Sequence, residues 1–538
     1  MFQADLVFKN GVVHTMDPAL PKARAVAVFG GIVAAVGRNE DMETLIGPRT
    51  KVCDLGGKTM IPGFNDSHNH IVNMGLAQMG VPVSPDRCAC VDDVLRALRE
   101  RAAKAKRGEW ILGRGWDESR LTEGRFPSVD ELDAASLGHP VFLIRTCGHV
   151  AVANGAAMKL AGIGDDTPNP AGGKIVRDER GRATGVFQEN AQNLMKAVVP
   201  PHDRDDFVRA LETAARQQNA FGITSSQDAG VSMPVKDEIE GWTAARAEGK
   251  MNLRIAASLY ASGWDRLIDA GIVAHYGDSM HRFGCVKMLL DGGVSGGTAA
   301  VSRSFLPPFN GKGILRMDRE ELNAKVLRYH RLGLQCSLHA IGDLAMEQAL
   351  DAYEKALTEA PAPRHRHRIE HCSLASAEQL SRAKSLGVCV NMNPGFLYHM
   401  GESHFPAIGE ERVRLEFPMK TALEMGIVVG NGTDCPVISA DPKYALYAAV
   451  FRKTRKGNAC GESERINMIQ ALWTYTSAGA YLSFEEDVKG SISPGKYADF
   501  AILSMNPVEI AESDAEALLD MSVAATILGG RFVFGGID

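Results

Sequence analysis

The hydrophobic pattern at the two ends of the chain differs from the pattern in its middle. Both ends consist of short apolar runs interrupted by Asn-Gly or Gly-Gly pairs, as in "DLVFKNGVVHTM" near the start and "ATILGGRFVFGG" near the end. Such pairs between apolar runs are typical of β-hairpins. We therefore expect residues 1–60 and 480–538 to form one composite β-sandwich domain.

The middle of the chain, residues 61–479, alternates continuously apolar runs with amphipathic stretches. "LQCSLHAIGD" and "GIVVGNGTD" illustrate the apolar runs, and "ASAEQLSRAKSLG" illustrates the amphipathic stretches. Apolar strands that alternate with helices indicate a parallel sheet covered on both faces. Over this length we predict an α/β fold with a (β/α)8 barrel of the TIM type. Residues 85–215 fit the alternation poorly, so we expect an inserted subdomain there.

Composition and charge exclude several classes of partner. The 538 residues carry a net charge of −6, and the longest basic cluster is the short "RHRHR" at 364–368, so we expect no nucleic acid partner. No apolar run reaches the roughly 18 residues that a membrane helix needs. The 10 cysteines are scattered through apolar segments. They favour reduced thiols in a cytoplasmic protein over a disulfide framework.

The first candidate for chemistry is the stretch "GFNDSHNH", residues 63–70, at the end of an apolar run. Side chains alternate between the two faces of a strand, so His68 and His70 point the same way. Such a pair is a surface accident, a buried hydrogen-bonding pair or one half of a metal site. The other half would have to come from elsewhere in the chain.

Lys287 lies inside the apolar run "CVKMLLD", where an unpaired ammonium group would be costly to bury. One interpretation is that its side chain reaches solvent or pairs with Asp291. The other is a lysine inside the barrel that carbon dioxide has carbamylated, so that it forms an anionic bridge between two metal ions.

Three more candidate ligands end predicted strands: His339, His371 and Asp434. Each alone could be a turn residue, a helix cap or a core histidine. Barrel enzymes, however, collect their chemistry at the C-terminal ends of the strands. Imidazole and carboxylate groups are suitable ligands for zinc and similar divalent ions. Together with the histidine pair and the lysine, these residues predict a metal site.

Several motifs, in order along the whole chain, resemble those of the amidohydrolase superfamily. They are "PGFNDSHNH", the strand with Lys287, "HAIGD", "RIEH", "GTDCPV" and the tail "GSISPGKYADFAIL". Within the superfamily the chain is most similar to the YtcJ-like (amidohydrolase 3) branch, which includes N-substituted formamide deformylases. "GRGWDE", "GHVAVAN" and "TGVFQENA" resemble the insertion of that branch.

The resemblance implies a metal-dependent hydrolase that cleaves a non-peptide C–N bond of a small amide. It implies one or two divalent ions per chain, with zinc as the expected ion, and a metal-bound hydroxide that attacks the carbonyl carbon. His68, His70 and Asp434 would hold one ion. A second ion would be held by His339 and His371, and carbamylated Lys287 would bridge the two.

The resemblance also assigns roles around the substrate. Asp434 would shuttle the proton as general base and then acid. His149 would polarise the carbonyl oxygen, although it could also only brace a loop. Trp116, His149 and Arg303 are the expected substrate-binding residues. Arg303 is included because the loop "DGGVSGGTAAVSR" lacks the arginine that this branch carries closer to the lysine strand. The family also implies a homodimer.

Two alternatives remain at this point. Ser295, within Gly293-Val-Ser295-Gly-Gly297, matches a nucleophile-elbow pattern and could serve a metal-independent serine amidase. Val294 argues against a serine amidase, because serine amidases of the Ser-Ser-Lys type carry their second serine at this position. The other alternative is a non-catalytic binding module, whose mark would be missing ligands, but all six expected positions are filled.

Overall fold

The computed structural model describes residues 3–84, 87–146, 148, 150–170, 172–231, 236–272 and 276–537. The chain divides into two compact units. The first, which we call the barrel unit, comprises Met1–Ile71, Ala214–Ile239 and Ala245–Asp538. The second, which we call the inserted unit, comprises Val72–Thr213 and Glu240–Ala244.

The barrel unit is built around one sheet of eight parallel strands in which sequence neighbours are also hydrogen-bonded neighbours. This nearly closed sheet confirms the predicted TIM-type barrel. The strands are β1 (Phe64–Asn69), β2 (Ile223–Val231), β3 (Arg254–Tyr260), β4 (His281–Leu289), β5 (Gln335–Ala340), β6 (Arg368–His371), β7 (Cys389–Met392) and β8 (Val429–Asn431).

Side chains and backbone groups join the first and last strands of this sheet. The amide of Asp434, just after β8, donates to the carbonyl oxygen of His68 in β1 at 2.6 Å. The carboxylate of Asp66 in β1 accepts hydrogen bonds from the amide and hydroxyl of Thr433, at 3.0 and 2.5 Å. The ends of β1 and β8 therefore lie side by side.

Helices follow strands β2 to β8, as the alternating pattern predicts. Some of these helices begin with a side-chain cap: Asp318 accepts from the amide of Glu321, and Ser376 from the amide of Gln379. The helices after β2 are Lys236–Ala247, Ala261–Asp269, Arg319–Arg331, Asp343–Glu359, Ala377–Ser385, Gly395–Ile408, Glu410–Val413, Met419–Glu424, Pro442–Phe451, Met468–Thr474 and Ser477–Leu482.

Strands from both ends of the chain share one six-stranded sheet. In it the C-terminal strand Phe500–Leu503 pairs antiparallel with the N-terminal strand Thr59–Pro62. The order of this sheet is Arg531–Gly535, Val523–Leu528, Phe500–Leu503, Thr59–Pro62, Val12–His14, Lys22–Ala23. A second sheet has the order Ile32–Gly37, Ala25–Phe29, Leu6–Lys9, Lys51–Asp54. Phe8 of this second sheet and Phe500 of the first contact edge to face, so the two sheets share an apolar core.

Two short helices accompany these sheets, Asn39–Met42 and Pro507–Ser513. In the inserted unit a five-stranded sheet has the order Gly173–Arg177, Ala183–Glu189, Val150–Ala153, Val141–Arg145, Ile111–Trp116. The helices from this part of the chain are Ile71–Met79, Val91–Ala102, Val129–Ser136, Gly155–Leu160, Gln192–Lys196 and Arg204–Ala220. Among all described residues, no helix has the length and apolar character needed to cross a bilayer.

The interior of the barrel beneath its C-terminal end is polar. Arg368 in β6 donates to Gln227 in β2, and His68 in β1 contacts Glu370 in β6. Each of these contacts joins strands that are not neighbours in the sheet, so the side chains point into the barrel. Arg368 and Glu370 are both fully buried. A buried ion pair of this kind needs further polar partners to be tolerated. Here Gln227 is such a partner for Arg368 and His68 is one for Glu370, and His68 also belongs to the site above the pair.

Candidate active site

The predicted ligands meet at the C-terminal end of the barrel. His70 directly follows β1, and Asp434 lies three residues beyond the end of β8. His339 and His371 lie in the last residues of β5 and β6, and Lys287 lies in β4. Because parallel strands end at the same edge of a sheet, this placement brings the side chains to one rim.

Three of these residues form a compact group of metal-type donors. One ligand atom each from His68, His371 and Asp434 lies within 4.8 Å of the other two, and all three residues are buried. The Asp434 Oδ1 atom lies 3.5 Å from Nε2 of His68 and 3.1 Å from Nε2 of His70. The carboxylate of Asp434 thus faces both histidines of the His-X-His pair.

His339 and His371 extend the group on its other side. The ring centroids of His371 and His68 are 4.7 Å apart, and those of His339 and His371 are 4.4 Å apart. The structure therefore brings four histidines and Asp434 into one cluster.

Two residues of the cluster have a left-handed backbone where their strands end. The φ angle is 69° at His371 and 56° at Asp434. This conformation is uncommon for residues other than glycine, and such positions concentrate at functional sites. At His371 it also breaks the alternation of faces, so that Glu370 and His371 both contact His68.

Hydrogen bonds define which ring nitrogen carries the proton in two of the histidines. Asn393 donates through Nδ2 to the carbonyl oxygen of Gly432 at 2.8 Å, so its Oδ1 accepts from Nδ1 of His371, also at 2.8 Å. Nδ1 of His68 donates to Oε2 of Glu370 at 2.5 Å. In both rings the lone pair is then on Nε2, the nitrogen available to a metal ion.

His339 is held in a different way. Its Nε2 lies 3.2 Å from the carbonyl oxygen of Gly292 and 3.4 Å from Oδ1 of Asp291. Both neighbours are acceptors, so Nε2 carries the proton and the lone pair is on Nδ1.

The electrostatics of the cluster suit a cation. Burial, followed by the effect of His68, lowers the pKa of His371 to about 3, which keeps this ring neutral as a ligand must be. Burial opposes ionisation of Asp434, but its contacts with the rings of His68 and His70 hold its pKa well below the ordinary value. Neutral imidazoles beside an ionised carboxylate are a donor set that fits zinc or a similar divalent ion.

The surroundings of His68 also favour positive charge. Burial and the Lys287 ammonium lower its pKa, but Glu370 and Asp434 outweigh them and raise the pKa above the ordinary value. A buried imidazole normally shifts in the opposite direction. The site therefore draws a cation towards Nε2 of His68, whether that cation is a proton or a metal ion.

Lys287 is almost completely buried, with 1% of its surface exposed. Burial lowers the pKa of its ammonium, while the carboxylates of Glu370 and Asp434 act against this shift. Asp291, the partner that one interpretation gave it, accepts backbone hydrogen bonds from Ala300, Ile341 and Gly342. Asp291 thus anchors the loop after β4.

The residues predicted to bind the substrate have varied surroundings. Trp116 is fully buried in the inserted unit, where its Nε1 donates to the carbonyl oxygen of Leu143 at 3.1 Å. The exposed guanidinium of Arg303 pairs with Glu411 at 2.8 Å. His149 lies outside the described residues. For all three, a role in substrate binding stays a prediction.

The loop that carries Ser295 does not have the form of a nucleophile elbow. In the described part of the chain after residue 276, a turn spans residues 294–297 and the next helix is Arg319–Arg331. An elbow places its serine between a strand and an immediately following helix. The geometry gives the serine alternative no support.

Two polar residues that position the histidines were not predicted from the sequence. Glu370 precedes His371 in "RIEH", and strict alternation along a strand would turn it away from the site. Asn393 follows β7 in "NMNPG", a context that carries no signal of a ligand partner.

An eight-stranded parallel barrel with imidazole and carboxylate groups at its C-terminal rim is the arrangement of a barrel enzyme. The sequence profile of the Amidohydrolase family matches residues 51–534. The chain belongs to this family, and the predicted resemblance is confirmed. It is an amidohydrolase, an enzyme class that acts on carbon–nitrogen bonds other than peptide bonds.

Relatives and solved structures cover nearly the whole chain. It is 30% identical to YtcJ of Bacillus subtilis (strain 168), over 98% of this chain and 99% of the relative. It is also 30% identical to the N-substituted formamide deformylase of Arthrobacter pascens, over 98% and 97%. An uncharacterised metal-dependent hydrolase from Pyrococcus horikoshii has a similar structure, with a TM-score of 0.77, 27% identity, and coverage of 95% of this chain and 99% of that one.

Proposed function

We propose that the protein is a metal-dependent hydrolase that cleaves the C–N bond of a linear or N-substituted amide of low molecular weight. The observation that carries this proposal is the group of His68, His371 and Asp434, whose ligand atoms lie within 4.8 Å of one another at the barrel rim. Similarity to an N-substituted formamide deformylase over nearly the full length supports this choice of substrate class.

In this proposal the chain's own side chains hold one or two divalent ions, with zinc expected. His68, His70 and Asp434 would hold one, His339 and His371 would hold the other, and Lys287, as a carbamate, would be a further ligand. The lowered pKa of the buried Lys287 supports this last point, because only an uncharged amine reacts with carbon dioxide. When bound, such an ion lowers the pKa of water towards about 7 and polarises a carbonyl oxygen.

Asp434 moves the proton. Its pKa lies well below the ordinary value, so its carboxylate is ionised at neutral pH and can accept the proton of the attacking water on an oxygen. The carboxyl group then delivers this proton to the nitrogen as the C–N bond breaks, which releases a carboxylic acid and an amine.

The remaining assignments complete the proposal. His149, Trp116 and Arg303 would contact the substrate, with His149 at the carbonyl oxygen. The protein would act in the cytoplasm, which agrees with its nine described cysteines being free thiols. It would form a homodimer, although the chemistry does not require one, because all six proposed ligands come from one chain.

The test is hydrolysis of an amide panel by protein of measured metal content. N-benzylformamide, N-benzylacetamide and N-benzylbenzamide would be compared before chelation, after chelation and after zinc is restored. We expect activity on at least one amide, its loss on chelation and its return with zinc, and we expect Ser295→Ala to retain the rate. Full activity in metal-free protein would contradict the proposal. Loss of activity in Ser295→Ala protein that still carries its metal would also contradict it.

A further inference from the structure

Glu370 is a fully buried carboxylate in β6 that contacts the candidate site without belonging to its donor group. Its Oε2 accepts from Nδ1 of His68 at 2.5 Å. Its Oε1 lies 2.5 Å from Nε of Arg368 and accepts from the hydroxyl of Ser337, also at 2.5 Å. Both oxygens are therefore engaged, and the carboxylate has one defined orientation.

The guanidinium that neutralises Glu370 is itself anchored across the barrel. Arg368 donates through a terminal nitrogen to Oε1 of Gln227 in β2. Gln227 in turn donates through Nε2 to the carbonyl oxygen of Gly479 at 2.7 Å. Since these groups lie on barrel strands or on a helix packed against them, the arrangement is rigid. It runs from Gln227 through Arg368 and Glu370 to the imidazole of His68.

We infer that Glu370 is a positioning residue, which fixes the Nδ1–H tautomer of His68, aims its Nε2 into the site and thereby sets the metal affinity. This inference rests on the proposed metal site. A carboxylate that accepts the outer N–H of a metal-ligating histidine orients the ring and raises its basicity. Oε2 of Glu370 stands in this position, and Nε2 of His68 faces Asp434 from the other side of the ring at 3.5 Å.

The effect of the outer hydrogen-bond partner on metal affinity should be larger at His68 than at His70 or His371. His371 has the neutral amide of Asn393 on its outer nitrogen. Nδ1 of His70 lies 4.0 Å from the carboxylate of Asp228, which exceeds hydrogen-bonding distance. His68 thus has a charged acceptor at a short distance, and removal of that charge should weaken metal binding.

The chain offers a matched control. His404 and Glu416 form another buried histidine–carboxylate pair, with Nδ1 and Oε2 2.9 Å apart, and neither belongs to the proposed ligand set. Glu370→Gln and Glu416→Gln each remove the charge of a buried carboxylate that contacts Nδ1 of a histidine. Both should destabilise the fold, but only the first should alter the affinity for a metal ion.

The experiment measures zinc affinity of the full-length protein, first stripped of metal, by competition with a chelating dye. We expect Glu370→Gln to bind zinc about 10- to 100-fold more weakly than the wild type. Glu416→Gln should stay within about threefold, and His68→Asn should lose at least as much as Glu370→Gln. Glu370→Asp keeps the charge but moves the carboxylate oxygen away from Nδ1 of His68, because the aspartate side chain is shorter. This variant replaces Glu370→Gln in the test if the glutamine variant does not fold. We expect about a fivefold or greater loss for it.

Two results are distinguishable. If His68→Asn loses affinity while folded Glu370→Gln, or folded Glu370→Asp in its place, binds zinc like the wild type, the role of Glu370 is refuted and the metal site stands. If His68→Asn itself binds zinc like the wild type, the proposed site is wrong, and the role of Glu370 falls with it.

Discussion

Gly432 is the position where a single methyl group should disturb the site most directly. It follows β8 and lies against β1, where a Cβ atom at residue 432 would stand 2.6 Å from the backbone nitrogen of His68 and 2.7 Å from its Cβ. Ordinary contact begins near 3.4 Å. In Gly432→Ala the two strand ends must therefore separate by about 0.8 Å, since neither neighbour is the end of a flexible side chain.

This separation of the strand ends would directly displace Asp434 and the partner of His371. Asp434, two residues further along, is held by its hydrogen bond of 2.6 Å to the carbonyl oxygen of His68. The carbonyl oxygen of Gly432 also orients Asn393, the partner of His371. A misplacement of roughly 1 Å costs about 100-fold in rate, and overpacking of this kind costs about 1–3 kcal/mol of stability. We expect kcat/KM to fall by about 10- to 100-fold, with weaker zinc binding.

The assay is steady-state hydrolysis of the best amide in the panel, together with thermal unfolding. Gly164→Ala is the control, because nothing lies within 4 Å of a Cβ atom there and its φ angle is not in the left-handed region. We expect this control to match the wild type in rate. A Gly432→Ala enzyme within about twofold of the wild type would refute the claim that the close approach of β1 and β8 shapes the site.

Two further predictions concern proton transfer and acid stability. Asp434→Asn should keep part of its metal but lose turnover by about 100-fold or more, and near-normal turnover would refute its role as proton carrier. His367 should make the fold acid-labile, because burial, with His365 and His330 nearby, holds its pKa well below the ordinary 6.5. Its Nδ1 accepts from the amide of Cys336 at 3.0 Å, so a proton there would break that bond. Stability from this group is complete above about pH 6.5 and is lost below it. Thermal unfolding at about pH 7.5 and pH 5 should show a smaller loss in His367→Gln than in the wild type, and equal losses would contradict the assignment.

The barrel and its rim were predictable because both follow from local pattern. Apolar runs predicted the strands, and ligand-type residues at their ends predicted where chemistry collects, as His339 and Asp434 show. Glu370 escaped prediction because the left-handed backbone of His371, with φ 69°, breaks the alternation on which such a prediction depends. Glu370 in β6 reaches His68 in β1 across the barrel, and a sequence pattern does not encode which strands meet in this way.

The most direct test of the central claim is anomalous diffraction from crystals of active enzyme, recorded at the absorption edge of the metal found by elemental analysis. We expect a peak about 2.0–2.2 Å from Nε2 of His68 and from a carboxylate oxygen of Asp434. A fully active crystal with no anomalous peak among the four histidines and Asp434 would contradict it.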